Sequence, residues 1–480
     1  MISLSHLFDQ DTPSTEAEPT EAGSSAAEGN KVLRLVQTVG QAMADGRLAP
    51  GQRLPSIRAM AAEHGVSRDT VQRAYDKLVA GGKIQSRRGA GFFVVATTPP
   101  PARDRTPATV DFEAFQLIYS DLPPDRVPGS GLLHHDDGST EELARVLKGA
   151  ATLGRRLGRY GDPAGYLPLR EELQNKLRMD GVDAPIDSII TAPGCIAGLT
   201  LCIRSFVRYR TPVLIEDPCS FAHLAVLLAQ GAEIYRIPRE ADGPNLEVLR
   251  LMCERHRPKM FLLSSMLQNP TGTSISLHKA RKLLEIAAEF DMTLVDDASY
   301  ADLAPVTDGR PAVPLILLDQ LEHVIHVGGF SQTLSPEMGV GYIVAGERFM
   351  ELLRLFRPVQ GLANMLIPER VVYRFLHDGL YRRRCERIRS RLLRRGVTLR
   401  HLLASTPVKP AQPTATGGTF LWANLGEGVD SSSVAKRMLA KGYLTAPGSH
   451  FLLPKIGQPF MRFNVTTTTP AAIEALIACI

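Results

Sequence analysis

Apolar positions follow two different rhythms along the chain. Near the N-terminus Val32, Leu35, Val36 and Val39 recur at helical spacing, which predicts an amphipathic helix ending near Gly46. The stretch that follows, GQRLPSIRAMAAEHGVSRDTVQRAYDKLVAGGKIQSRRGAGFFVV, predicts two more helices. Ser56 caps the first, Gly65 makes the tight turn, and Ser67 caps the second. After Gly82 comes a hairpin whose tip carries Arg87, Arg88, Gly89, Ala90 and Gly91. Two short helices joined by a glycine-containing turn form a helix-turn-helix pattern. A solvated basic helical hairpin satisfies the same residues.

From about Gly131 the rhythm changes. The β-branched runs SIIT, PVLIED, MFLLSS, TLVDD and HVIHVGG alternate with helical patterns such as HKARKLLEIAAEF. This alternation predicts α/β layers around a mostly parallel sheet. Between the two regimes ATTPPPARDRTP, residues 96–107, lacks apolar periodicity and reads as an extended spacer. The expected organisation is multidomain: a disordered tail at 1–30, a helical, winged helix-turn-helix module at 31–95, a linker at 96–130 and an α/β domain at 131–480. Within the last, a large part covers about 175–375 and a small part the remainder.

Charge sharpens these boundaries. A net charge of +5 conceals an acidic tail, with Asp9, Asp11, Glu16, Glu18, Glu21 and Glu28 and no Lys or Arg. Eleven Lys or Arg between Lys31 and Val95 then face only Asp45, Glu63, Asp69 and Asp76. No apolar run reaches the roughly 18 to 20 residues of a membrane helix, and no basic-then-apolar leader opens the chain, so a cytoplasmic protein without membrane partners is expected. The six cysteines lack CxxC or Cys/His ligand spacing, which favours reduced core thiols over disulfides or a metal site.

The basic module, with LPSIRAMA, GVSRDTVQRAYDKL and GAGFFV, resembles the GntR-type winged helix. The resemblance implies contacts to double-stranded DNA from Arg53, Ser56, Arg58, Arg68, Thr70 and the wing at Gly91. The start of the second helix also places Ser67 and Arg73 toward the major groove, and Arg87 and Arg88 suit phosphates.

In the α/β region, YGDPAGYLPLREEL (160–173), TAPGCIAGL (191–199), NPTG (269–272) and DDASYADL (296–303) occur in a telling order. The strand-to-helix turn in TAPGCIAGL suits a phosphate, and Asp297 with Tyr300 falls at a strand end, where open α/β sheets bind ligands. The order resembles the fold type I aminotransferases that use pyridoxal phosphate. With the N-terminal module, residues 31–480 resemble the MocR-type regulators. The resemblance implies that Asn269 and Tyr300 reach the cofactor's ring oxygen, Asp297 pairs with its pyridine nitrogen, and Arg462 in MRFNV binds a substrate or effector carboxylate. Taken singly, Asn269 also suits a turn, Asp297 a helix cap and Arg462 a surface ion pair.

GGFSQTLSPEMGVGYIVA (328–345) resembles the block that carries the family's Schiff-base lysine, and Gln332 stands at the lysine position. A carboxamide cannot form the internal aldimine. Gly329 and Gly339 replace a serine and an arginine that hold the phosphate, and Ser220 replaces the stacking aromatic, with Phe221 adjacent as a substitute. Removing the arginine costs about 2 to 5 kcal/mol, and removing the hydroxyl and the stacking about 1 kcal/mol each. No covalent cofactor is expected, and weak or absent binding of pyridoxal phosphate. Lys279 and Lys455 sit in segments the fold would not bring to this point.

The expected function is therefore a homodimeric DNA-binding transcription regulator without transaminase activity. Its aminotransferase-like domain would dimerise and sense a small amino-acid-like effector. The alternative is a pyridoxal-phosphate-dependent aminotransferase with an accessory DNA-binding domain. The run LYRRRCERIRSRLLRRG (380–396) reads as a solvated helix face or as a second DNA contact.

Overall fold

The computed structural model describes residues 24–44, 47–49, 51–80, 83–87, 91–94, 112–134, 139–150, 160–307, 310–311, 313–412, 417–452 and 458–480. The chain divides into two units between Asp104 and Arg105.

In the N-terminal unit, helix α1 (Ser24–Ala44) presents Val32, Leu35, Val39 and Ala42 to a small core shared with Val71, Tyr75 and Leu78. It begins inside the stretch expected as a disordered tail, and that boundary is corrected: Ala26, Ala27 and Glu28 are strong helix formers that continue α1 back to Ser24. The rest of the tail, 1–23, lies outside the described residues. Ser56 caps α2 (Ile57–Glu63), its Oγ accepting from the Ala59 N–H at 3.2 Å. Gly65 turns the chain at φ +60°, and Ser67 Oγ accepts from Thr70 N–H at 3.0 Å at the start of α3 (Arg68–Ala80). Strands β1 (Ile84–Arg87) and β2 (Gly91–Val94) pair antiparallel, Ile84 opposite Val94 and Arg87 opposite Gly91. The buried Tyr75 ties helix to wing, its ring packed edge to face on Phe92 with centroids 4.9 Å apart and its hydroxyl donating to Pro55 O at 3.0 Å.

The second unit is built on an eight-stranded sheet with order β3-β12-β11-β8-β7-β4-β5-β6. Its strands are β3 (Ile189–Ala192), β4 (Pro212–Asp217), β5 (Glu233–Glu240), β6 (Gly243–Pro244), β7 (Met260–Leu263), β8 (Thr293–Asp297), β11 (Val324–Gly329) and β12 (Gly341–Val344); the short pair β9 (Val306–Thr307) and β10 (Arg310–Pro311) stands apart. The middle of the sheet, β11-β8-β7-β4-β5, is parallel, whereas β12 and β6 run antiparallel to their neighbours. Both faces are covered. Helices Leu167–Met179, Leu277–Glu289 and Leu366–His377 pack on one, and Cys195–Phe206, Phe221–Ala229 and Glu347–Phe356 on the other. Double coverage explains why MFLL and VIHV are buried throughout rather than alternating, with His326 the one polar residue among them. A four-stranded antiparallel sheet, β13 (Lys409–Pro410), β14 (Phe420–Asn424), β16 (Phe460–Asn464) and β15 (Ala446–Pro447) in that order, forms a smaller core with helices Leu380–Ala404, Ser431–Ala440 and Pro470–Ile477.

The expected linker, 96–130, is corrected at its C-terminal end. Helix α4 (Phe112–Tyr119) buries Ala114 and Leu117 against Phe221, Trp422, Ala446 and Phe451. FEAFQLIY is apolar at helical spacing, and the second unit supplies the surface that buries it. The chain then crosses to the small sheet through a short 3-10 turn, Pro124–Arg126: Leu444 N–H donates to Arg126 O at 2.8 Å and Asn464 N–H to Pro128 O at 2.8 Å. All six cysteines are buried free thiols. Among the described residues no helix is long and apolar enough to cross a membrane.

Candidate functional site

Each unit presents a set of polar groups. In the winged unit, Arg58 on α2 and Arg68 at the start of α3 are exposed. Arg53 bridges to Phe93 of the wing, and a β-carbon at Gly91 (φ +104°) would lie 3.2 Å from its Nε, so glycine suits this position sterically and conformationally. Arg87 places its guanidinium 4.7 Å from the centre of the Phe93 ring. Arg53 and Arg87 thus both lie along the wing. Arg73 is exposed in an i,i+4 pair with Asp69 at 4.0 Å. Thr70 is not at the surface: it is 3% exposed, and its hydroxyl lies 2.7 Å from Ser67 Oγ, so these two residues close the cap of α3. Arg88 lies outside the described residues.

In the second unit Tyr300, Gln332 and Arg462 bond to one short segment, Gly129–Leu133, and Asn269 joins them through Arg462. Arg462 donates through Nη2 to Gly129 O at 2.6 Å and through Nη1 to Asn269 Oδ1 at 2.8 Å. Tyr300 donates to Gly131 O at 3.1 Å. Gln332 bonds twice, Oε1 accepting from Leu133 N–H at 3.0 Å and Nε2 donating to Gly131 O at 3.3 Å. Asn464 Nδ2 donates to Ser130 O at 3.0 Å and Leu132 O at 2.7 Å. This segment forms a strap across the site.

Arg462 is fully buried between the rings of Phe420 (4.4 Å) and Phe451 (4.9 Å), and its Nε has no partner. Burial lowers its pKa to about 10, with Tyr300 opposing the shift. Asp297, at the end of β8, accepts from His223 at 2.6 Å, from Ser299 N–H at 3.0 Å and Oγ at 2.5 Å, and from Cys195 Sγ at 3.3 Å. Burial raises its pKa, but the bond and charge of His223 and the Ser299 donors outweigh burial and leave it at about 2. Burial and the Asp297 charge push the Cys195 thiol well up, so it is a donor and not a nucleophile.

The surrounding positions are unlike one another. A β-carbon on Gly329 would meet Cys195 Cβ at 3.2 Å, whereas one on Gly339 (φ +53°) would meet nothing within 4 Å. Ser220 is buried at the start of the helix Phe221–Ala229. Phe221 packs edge-on to Phe115 at 5.1 Å and against Phe451, within the cluster that holds α4.

A family model described as aminotransferase class I and II matches residues 129–480, which include the strap and both large sheets of this unit. The chain belongs to that family. Residues 31–94 match a second model, bacterial regulatory proteins of the gntR family, so the N-terminal unit is a GntR helix-turn-helix region. Two relatives share both parts of the chain's length. The uncharacterized HTH-type transcriptional regulator YdfD of Bacillus subtilis is 24% identical, covering 88% of this chain and 90% of its own. The HTH-type transcriptional regulator TauR of Rhodobacter capsulatus is 27% identical, covering 94% and 96%. Among solved structures, kynurenine aminotransferase of Pyrococcus horikoshii superposes with a TM-score of 0.69 at 24% identity, covering 78% of this chain and 94% of its own.

Within this aminotransferase fold, four participants escape a reading of the sequence. His223 lies three residues, one helical turn, after Ser220, and that spacing was the available signal. Asn464 lies two residues after Arg462 on β16 and so shares its face. Cys195 and the strap carbonyls carried no signal, because a thiol in a turn and a backbone oxygen look the same at every position.

Proposed function

We propose that the protein is a homodimeric, DNA-binding transcription regulator whose aminotransferase-family unit holds a small carboxylate non-covalently and does not transaminate. The observation that carries this reading is the winged unit: exposed Arg58 and Arg68 beside a wing lined by Arg53 and Arg87, in a segment that matches the gntR family. These are the cations that phosphate contact and base reading require. Gel shifts across the gene's own upstream region test it. Sequence-selective binding that weakens steeply with salt is expected, and equal affinity for all duplexes at every salt concentration would overturn it.

The fold family implies pyridoxal phosphate, and the residues present do not fit it. We place Gln332 at the position of the Schiff-base lysine, and its amide is engaged on both sides by the strap. Four donors already converge on Asp297, and Phe221, the neighbour of Ser220, is committed to packing α4. The half-buried Lys176 is no replacement amine. Burial works against its charge, but Asp302 at 2.8 Å and Asp180 at 3.1 Å raise its pKa well up and hold it as an ammonium.

Arg462 supports the sensing half, being a buried cation with no carboxylate within ion-pair distance among the described residues and with Nε still unpartnered. A ligand carboxylate would supply the missing charge in exchange for the Gly129 carbonyl. Titration with free amino acids should raise the melting temperature of the wild type and not of Arg462→Met. Flat titrations for both would leave the unit a dimerisation scaffold. Membership of the aminotransferase family favours the enzyme reading. That reading predicts a visible absorbance band on adding pyridoxal phosphate, fixed to the protein by borohydride.

A further inference from the structure

The helix Leu380–Ala404 carries nine arginines and one acid, Glu386. Its inner side buries Tyr381, Arg384, Cys385, Ile388, Leu392, Leu399 and Leu403, which fixes its rotation. Positions 383, 387 and 394 then fall within about 40° of one another at 100° per residue, along about 16 Å of helix. All three arginines are exposed. Glu142 meets Arg387 at 2.9 Å and Glu386 meets Arg382 at 3.4 Å. Arg383 and Arg394 have no ion pair among the described residues.

Such a stripe is unfavourable for an isolated chain. Arg383 and Arg387 stand at i,i+4, where like charges repel, and Arg394 lies two turns further along the same face. The helix is held by its inner side in spite of its outer one, so the outer charge asks for a partner outside the chain. A strand of duplex DNA presents one phosphate per about 3.4 Å of axis, so the stripe spans about five. The winged unit supplies that duplex. The seventeen residues between Val94 and Phe112 bridge up to about 60 Å when extended, which keeps DNA held by the head at high local concentration around the second unit.

We propose that Arg383, Arg387 and Arg394 form a second, sequence-independent contact to duplex DNA, on the phosphates flanking the site the winged unit reads. The proposal rests on the regulator reading. It makes affinity and salt dependence functions of duplex length.

The test uses the full-length protein and two duplexes from its own upstream region: one confined to the footprinted site, the other extended by about three helical turns on each side. Wild type should bind the longer duplex more tightly and with a steeper slope of log K against log salt. Replacing all three arginines with glutamine should lower that slope by about 0.9 for each phosphate no longer neutralised, about 2 to 3 in total, on the long duplex only. Lysine at the same positions should restore it, which excludes a folding defect. Equal slopes for wild type and variant on the long duplex would overturn the proposal. So would a change of oligomeric state in sedimentation with the slope unmoved, which would assign the face to a contact between chains. If the regulator reading itself fails, sequence preference on the short duplex disappears, a result distinct from either.

Discussion

Arg58 and Arg68 of the winged unit reach solvent with no ion pair among the described residues, whereas Arg462 of the larger unit is buried between two aromatic rings and bonded to Gly129 and Asn269. Both are arginines that the chain's resemblances assign to recognition, yet their surroundings differ. The head's cations contribute little to its own fold, which rests on Val32, Leu35, Val71, Tyr75 and Leu78, so they can be replaced without unfolding it. The pocket's groups are bonded to one another and to the strap, so they serve the fold whether or not a ligand ever arrives. Replacements in the pocket should therefore be read first as stability changes, and those in the head as changes in affinity.

The largest expected effect tests the pocket half. With a folded pKa near 2, below the unfolded value of about 3.9, Asp297 contributes stability that is fully present above about pH 4 to 5. That contribution is lost as pH falls toward 2. Asp297→Asn should cost about 2 to 3 kcal/mol at neutral pH and flatten the acid limb of the stability profile, read by denaturant titration from pH 7 to 2.5. Sequence preference for DNA should survive. An unchanged midpoint would mean that His223 and Ser299 do not hold the carboxylate as described.

Arg68→Ala tests the other half. It should cost about 1 to 3 kcal/mol of binding and relax preference at one or two base positions, with the melting temperature within a degree of wild type. A variant that melted earlier and kept its specificity would reverse the comparison.

Gln332→Ala is expected to be milder than either. It leaves Leu133 N–H and Gly131 O without their side-chain partner, which should cost about 1 to 2 kcal/mol. Hydrogen exchange at residues 131–133 should quicken while that of the sheet strands stays slow.

These contrasts also mark what the sequence could disclose. The head was legible almost throughout, because caps, a turn glycine and an apolar stripe are local signals: Ser56, Gly65 and Ser67 do in the structure what their positions imply. Thr70 shows the limit, since the resemblance names it as a contact and burial makes it a cap partner. In the second unit the alternation of strands and helices disclosed the layers, and motif order grouped Asn269, Tyr300, Gln332 and Arg462, which in the structure lie around the strap. The strap was not legible. Its bonds to residues 169 to 334 positions away are made by backbone oxygens and amides, which every residue possesses. Helix α4 was hidden for a related reason: next to a proline-rich stretch its apolar residues gain meaning only from Trp422 and Phe451, more than 300 positions on.

Gln332→Lys has the smallest expected effect and is the most discriminating. If Gln332 stands at the Schiff-base lysine position, as proposed, and were the pocket's only departure, lysine there would give a visible band with pyridoxal phosphate. The neighbourhood says otherwise. The new amine would enter a site where the strap carbonyl of Gly131 already takes the Gln332 donor and the Tyr300 hydroxyl, and where Cys195 shares Asp297 with His223 and Ser299. No cation stands at Gly339 and no hydroxyl at Gly329 to receive a phosphate, although Gly339 has open space around it. The expected spectrum is therefore unchanged after the single replacement. A band would show that Gln332 alone separates this pocket from an enzyme's. If a band needs Gly329→Ser and Gly339→Arg added to the lysine, the phosphate seat and the covalent anchor were both lost, and the strap occupies what remains.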